Sequence, residues 1–322
     1  MERFESYKVC RLMAEEGSAE AQYQMGMACL SVYDNEWDCK QALQWYLKAA
    51  EQGHIKAQLE CGDYYKYGIG VEKNLTESMG WYRKAAEQGD VDAQFEMSLI
   101  YHEGRGVEAD LVESVRWGRL CAEQGYSTAQ YNLGFAYLYG EGVEEDIGQA
   151  VKWLRLAAEQ DELGEEHAQY MMGEFHYYGT GVEQNYDEAF RWYKMASRHG
   201  HADAQFSLAF MYENGIGTLQ DMKRALKYYN KAARKGNMDA QFNLGVIYLN
   251  GEGGKPDHLL AVKWLRKAAD QGVVKAQFVL GECAQNGRGM KPSEQEATKW
   301  YRLAARGAHE CSENGCDAEL LE

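Results

Sequence analysis

The chain has 322 residues, 45% of them apolar, a formal net charge of −16 and only two prolines. Such a charge argues against partners that are themselves polyanions, so nucleic acid and anionic membrane surfaces are disfavoured. No run approaches the ~18 consecutive apolar residues of a membrane span, and a chain with prolines only at 256 and 292 suits a nearly all-helical fold.

Residues 1–17 carry acids near the start and no long apolar stretch, so they do not read as a signal peptide. Leu12-Met13-Ala14-Glu15-Glu16-Gly17 instead matches the helix end Lys84-Ala85-Ala86-Glu87-Gln88-Gly89 further on. From there the dipeptide Ala-Gln recurs at 21, 57, 93, 129, 168, 204, 240 and 276, in steps of 36 with a single step of 39. An aromatic marker keeps the same time: Trp45, Trp81, Trp117, Trp153, Trp192, Tyr228, Trp264, Trp300. A fixed period in this range is the signature of a repeat architecture rather than of one globular core.

Within one repeat, with the Ala as position zero, apolar or small residues fall at zero, four, five and eight, one face of a helix. Glycines follow at eleven and thirteen, as in Gly104 and Gly106, where a helix end calls for positive φ. Position seventeen reads Asp38, Asn74, Asp110, Asp146, Asn185, Asp221, Asp257, Ser293, all good N-cap residues, so a second helix starts there. It carries a small residue, the aromatic marker and a small pair such as Ala85-Ala86, and usually ends at a glycine. Each repeat is therefore a helix–turn–helix hairpin. The expected chain is an all-α solenoid of about seventeen helices: residues 1–17 as an N-terminal capping helix, 18–307 as eight repeats, 308–322 as a divergent tail. In the first repeat Val32 and Asp34 replace the glycine pair. The three extra residues fall within Asp161-Glu162-Leu163-Gly164-Glu165-Glu166 and read as a tolerated surface loop, with a bend of the superhelix as the alternative.

The eight cysteines share no phase with the repeat, which fits buried small side chains in a reducing compartment and not a disulfide per hairpin. Cys29 and Cys61 fall on the core stripe; Cys311 and Cys316 fall in the tail. The histidines are scattered over different repeats, and no zinc-protease pair or serine–lysine nucleophile motif occurs. The glycine pairs lack the third glycine and the strand of a dinucleotide loop. No catalytic, cofactor or metal residues are assigned.

Ala-Gln-aromatic-x-Leu-Gly-x-x-Tyr, Gly-x-Gly-Val, a capping Asp, Ala-x-x-Trp-Tyr and Lys-Ala-Ala-Glu-Gln-Gly together resemble the Sel-one-like repeat, a branch of the tetratricopeptide superfamily. Residues 57–89 and 129–161 carry the pattern almost intact. The resemblance implies a right-handed superhelix of antiparallel helix pairs acting as an adaptor for protein complexes, often bacterial. It covers an immunity or virulence factor, and leaves an envelope-associated hydrolase or carbohydrate-binding protein as the alternative. The expected location is cytoplasmic and the expected state a monomer or weak dimer.

On the first helices, positions three, six and ten point away from the core stripe at about 100° per residue, yet several are apolar. Leu99, Phe135, Tyr139, Met171, Tyr178, Phe210 and Val246 are the expected partner-binding residues, and a strip of that extent reads as an interaction surface. Glu60, Asp63, Glu96 and Glu103 lie toward its N-terminal end and would suit a basic segment of a protein or peptide. Residues 1–161 hold 28 acids against 15 bases, residues 162–322 hold 22 against 19. The basic run Lys223, Arg224, Lys227, Lys231, Arg234, Lys235 reads as a solvated outer face, with a docking patch for an acidic partner, such as the acidic half of a second copy, as the alternative.

Overall fold

The computed structural model describes residues 2–31, 39–160 and 166–313. Among these, seventeen α-helices occur and no strand. The order is α1 (Glu2–Glu15), α2 (Ala19–Ser31), α3 (Cys39–Glu51), α4 (Ile55–Tyr67), α5 (Leu75–Glu87), α6 (Val91–Glu103), α7 (Leu111–Glu123), α8 (Ser127–Tyr139), α9 (Ile147–Ala158), α10 (Glu166–Tyr178), α11 (Tyr186–His199), α12 (Ala202–Asn214), α13 (Met222–Arg234), α14 (Met238–Asn250), α15 (His258–Asp270), α16 (Val274–Asn286) and α17 (Glu294–Glu313). Val32, Asp34, Asp38 and most of the loop insertion lie outside the described residues, as do the side chains of Cys311 and Cys316.

The chain divides into two compact units, Met1–Ala157 and Ala158–Glu322. In the first, each helix from α1 to α7 packs on its successor and α8 shares a core cluster with α9; in the second each helix from α10 packs on its successor up to α17. Each unit is thus a stretch of α-solenoid whose core is a series of linked clusters. One cluster joins Ala42, Tyr46 and Ala49 of α3, Ala57 and Cys61 of α4, and Trp81 of α5.

The helix ends follow local chemistry. Asp110 Oδ1 accepts from the backbone N–H of Val112 (3.0 Å) and Glu113 (3.1 Å), opening α7. Asn74, Asp146, Asn185, Asp221, Asp257 and Ser293 cap α5, α9, α11, α13, α15 and α17 in the same way. Both glycines of each pair adopt positive φ, for example Gly104 at 71° and Gly106 at 75°. The first ends the helix. The second is required by proximity: a Cβ on Gly106 would stand 2.6 Å from the Leu75 Cβ at the head of the preceding repeat's second helix.

The marker Gln explains itself only in three dimensions. Gln58 Nε2 donates to the Ala50 carbonyl (3.0 Å), and Gln58 Oε1 accepts from Gln88 Nε2 of the next second helix (2.8 Å). Gln94 repeats this with Ala86 (3.2 Å) and Gln124 (2.8 Å), Gln241 with Ala233 (3.0 Å) and Gln271 (2.8 Å). Each buried amide therefore holds a carbonyl at the end of one hairpin's second helix and the start of the following hairpin together, satisfying groups that burial would otherwise penalise.

The aromatic marker fills the gap between second helices, with Trp117 and Trp300 each 5% exposed. Lysines cover several of the rings, Lys84 Nζ standing 3.8 Å above Trp81 and Lys48 4.3 Å above Trp45.

Candidate functional site

The first helices α2, α4, α6 and α8 of one unit and α10, α12, α14 and α16 of the other bury positions zero, one, four and seven almost throughout. The opposite side is less open than its helical phase suggests. Leu99, Phe135, Met171 and Val246 are half-buried, because the first helices of successive repeats lie side by side and cover one another's flanks. Lys66 of α4 reaching Glu96 of α6 at 2.8 Å shows that adjacency. Tyr139, Tyr178 and Phe210 are exposed, at 62%, 66% and 37%, and Tyr67 joins them at 64%. The Phe135 ring packs on Tyr131 (4.7 Å between centroids) and on Tyr139 (5.6 Å).

The four expected acidic residues are largely engaged within the chain. Glu96 pairs with Lys66 and stands 4.0 Å from Arg105. Glu103 accepts from the Arg105 guanidinium, whose hydrogen bond lowers its pKa. Asp63 accepts from the Tyr82 hydroxyl at 2.6 Å. Glu60 is half-buried, and burial first, then Asp63, push its carboxyl above the usual range. The free negative charge at this end is correspondingly smaller than the sequence count suggests. The basic residues of α13 are exposed, as expected of an outer face.

Two further placements differ from the sequence reading. Histidines 167 and 201, on consecutive repeats of the second unit, meet at 3.0 Å between ring nitrogens, so they are not scattered. Their separation of 34 residues is the signal: His54 meets Glu20, and Asn237 meets Asp203, at the same spacing. Cys29 is half-buried rather than sealed in the core, whereas Cys61, Cys121 and Cys283 are fully buried. All six cysteines whose side chains are described are free thiols. No group of three or more His, Cys, Asp or Glu among the described residues is arranged to hold a metal ion.

The third repeat carries an irregularity that the sequence reading passed over. At position five most repeats have glycine, and at position twenty-five of the second helix most have Tyr or Leu. These two positions touch: a Cβ on Gly62 would stand 2.6 Å from the Tyr82 ring, and one on Gly134 2.6 Å from Leu154. In the third repeat the sizes are exchanged, Ser98 facing Gly118, with Ser114 Oγ donating to the Ser98 carbonyl at 2.9 Å. The space that a ring would fill is a cavity of about 250 Å³ between α6, α7 and α8, which Leu99 and Phe135 both line.

The Sel1 repeat pattern matches eight consecutive segments: 19–54, 55–90, 91–126, 127–162, 166–201, 202–237, 239–273 and 274–309. The chain belongs to the Sel1 repeat family. Among solved structures, these Sel1 repeats superpose on a protective antigen present in uropathogenic Escherichia coli strains, with a TM-score of 0.82 and 36% identity. That match covers 93% of this chain but 64% of the antigen, so the chain spans about two thirds of the length of that relative. A Sel1 repeat protein from Oxalobacter formigenes follows at a TM-score of 0.73 and 28% identity, over 95% of this chain and 89% of that one. An immunity protein of Pseudomonas aeruginosa reaches a TM-score of only 0.35 at 22% identity, over 67% of this chain and 81% of that one, too little likeness to bear on function. No curated protein sequence matches the chain. Among the described residues no helix is long and apolar enough to cross a membrane.

Proposed function

We propose that this chain is a bacterial protein-binding scaffold that holds a protein or peptide partner on the face formed by its first helices. The observation that carries the reading is an exposed tyrosine at the same repeat position of three first helices, Tyr67 and Tyr139 in the first unit and Tyr178 in the second, each more than 60% exposed. These rings leave most of their area uncovered by the chain, and exposed aromatic area of this kind is what interfaces use. Family membership supports the reading, since stacked hairpins mostly serve to bind other macromolecules. The bacterial origin of the two relatives that superpose with TM-scores above 0.7 supports a bacterial source. We place the chain in the cytoplasm, as a monomer or weak dimer, because the unpatterned free thiols suit a reducing compartment.

The test is a Y139A/Y178A variant, carried through a pull-down from lysate of the source cell and a thermal melt. Truncating interface aromatics costs about 1–2 kcal/mol each, so capture of whatever the wild-type chain retains should drop by more than tenfold with an unchanged melt. Retention of the same proteins at wild-type levels would reject the face.

A further inference from the structure

We propose that the cavity of the third repeat is a socket for a phenyl ring, filled by a phenylalanine side chain of the protein held on the first-helix face. The inference rests on the scaffold reading for the source of the ring, and on the repeat's own geometry for everything else.

The chain describes the occupant by what it places there elsewhere. Position twenty-five reads Tyr46, Tyr82, Gly118, Leu154, Tyr193, Tyr229, Leu265 and Tyr301. Tyr46, Tyr82, Tyr193 and Tyr229 are fully buried, each ring laid on the first helix of its own hairpin. The third repeat alone supplies no side chain. The repeats on either side fill the equivalent place with Tyr82 and Leu154, whereas here the space stays open. Its walls are Phe95, Leu99, Val115, Tyr131, Leu133 and Phe135. Exposed Asn132 and His102 stand at its mouth, so it opens to solvent. An apolar cavity of roughly 150 Å³ already holds a benzene molecule, and this one measures about 250 Å³.

The chemistry favours a phenyl over a phenol. Tyr82 and Tyr193 donate their hydroxyls at 2.6 Å to the carboxylates of Asp63 and Glu174, at position six of the first helix. In the third repeat position six is Leu99, so ring and carboxylate are lost together. Tyr229 and Tyr301 instead donate to Glu213 and Gln285 at position nine, where the third repeat has exposed His102 at the cavity mouth. The wall at Leu99 is apolar, and a hydroxyl buried against it would be penalised. Ser114 Oγ donates to the backbone carbonyl of Ser98 as Ser78 does to that of Gly62, so this contact between the two helices is kept while the ring's volume is left vacant.

The probes are toluene and N-acetylphenylalaninamide, followed by saturation-transfer NMR on the full chain. The comparison variants are S98G/G118Y, which restores the pattern of the second repeat, and S98G/G118L, which restores that of the fourth. Both probes should bind the wild-type chain with signals that saturate, and at least one filled variant should fold, melt at or above the wild-type temperature and lose both signals by more than tenfold. Absence of toluene binding to the wild-type chain overturns the socket, as does undiminished binding to a folded, filled variant. Toluene binding without N-acetylphenylalaninamide overturns the side-chain assignment, since a free small aromatic would then be the only ring the mouth admits. A socket that fails while the Y139A/Y178A variant still loses its partner would leave the scaffold reading standing, so the two failures are distinguishable.

Discussion

At the scale of single residues, several side chains that recur with the repeat make bonds that only the neighbouring hairpin can complete. His201 is an instance that titrates. Its Nδ1 accepts from the Ala204 backbone N–H at 3.2 Å, capping α12, so Nε2 carries the proton and donates to His167 Nδ1 at 3.0 Å. Burial first, then the neighbouring His167, hold His201 below the usual imidazole range, against smaller opposing pulls from Asp203 and Glu166. A lowered folded pKa means that the unfolded chain binds the proton more readily. The stability this contributes is complete above pH 6.5 and is lost as pH falls below it. H201N keeps a capping oxygen, as Asn237 does for α14. Its melting temperature should therefore fall less between pH 7 and pH 5.5 than that of the wild-type chain, measured by calorimetry in matched buffers. Equal slopes would show that His201 does not carry the dependence.

At the scale of elements, the hairpins are built from caps and close approaches that local sequence can specify. Asp110 holds two amides at the head of α7, and no other side chain is seen to do that work. D110A should cost about 1 kcal/mol, the usual worth of an N-cap, read from the urea midpoint at constant slope. D110N should cost little, because Asn74 and Asn185 do the same work on α5 and α11. The glycine at position five is different in kind. Nothing in its own helix requires it, and a reading confined to the helix assigns it to the core stripe alone. Its cause is the ring or Leu side chain that lies on it from twenty residues away, which is why the Ser98–Gly118 exchange carried no meaning until the two positions were seen to meet.

At the scale of the whole molecule, contacts run from each helix to its sequence neighbours within each unit, and stability in such arrays is close to a sum of repeat and nearest-neighbour contributions. Terminal repeats have one neighbour fewer and open more readily. The free thiols report this. Cys61 and Cys121 are fully buried, and burial pushes each thiol up to about 12, so neither reacts from the folded state. Cys283, in α16 beside the last helix, is equally buried but nearer an end. Under native conditions the order of labelling by a maleimide should be half-buried Cys10 and Cys39 first, Cys283 next, and Cys61 and Cys121 slowest, followed by peptide mass spectrometry. A common rate for the three buried thiols would instead mean that the chain opens all at once.

The sequence by itself determined the hairpin, the number of helices, their caps and the family, because these depend on periodicities and on residues no more than a few positions apart. It also marked Tyr139, Tyr178 and Phe210 as facing away from the core stripe, which requires only the helical phase. The tertiary structure decided what lies beyond one helix's reach. It buried the flanks of Leu99, Phe135, Met171 and Val246 between neighbouring first helices, engaged Glu96 with Lys66, and brought His167 to His201. It also opened a cavity at Gly118. The physical reason is common to all four: whether a side chain is covered, neutralised or missing a partner is a property of atoms some twenty to forty residues distant, and the repeat brings them together only when the hairpins stack.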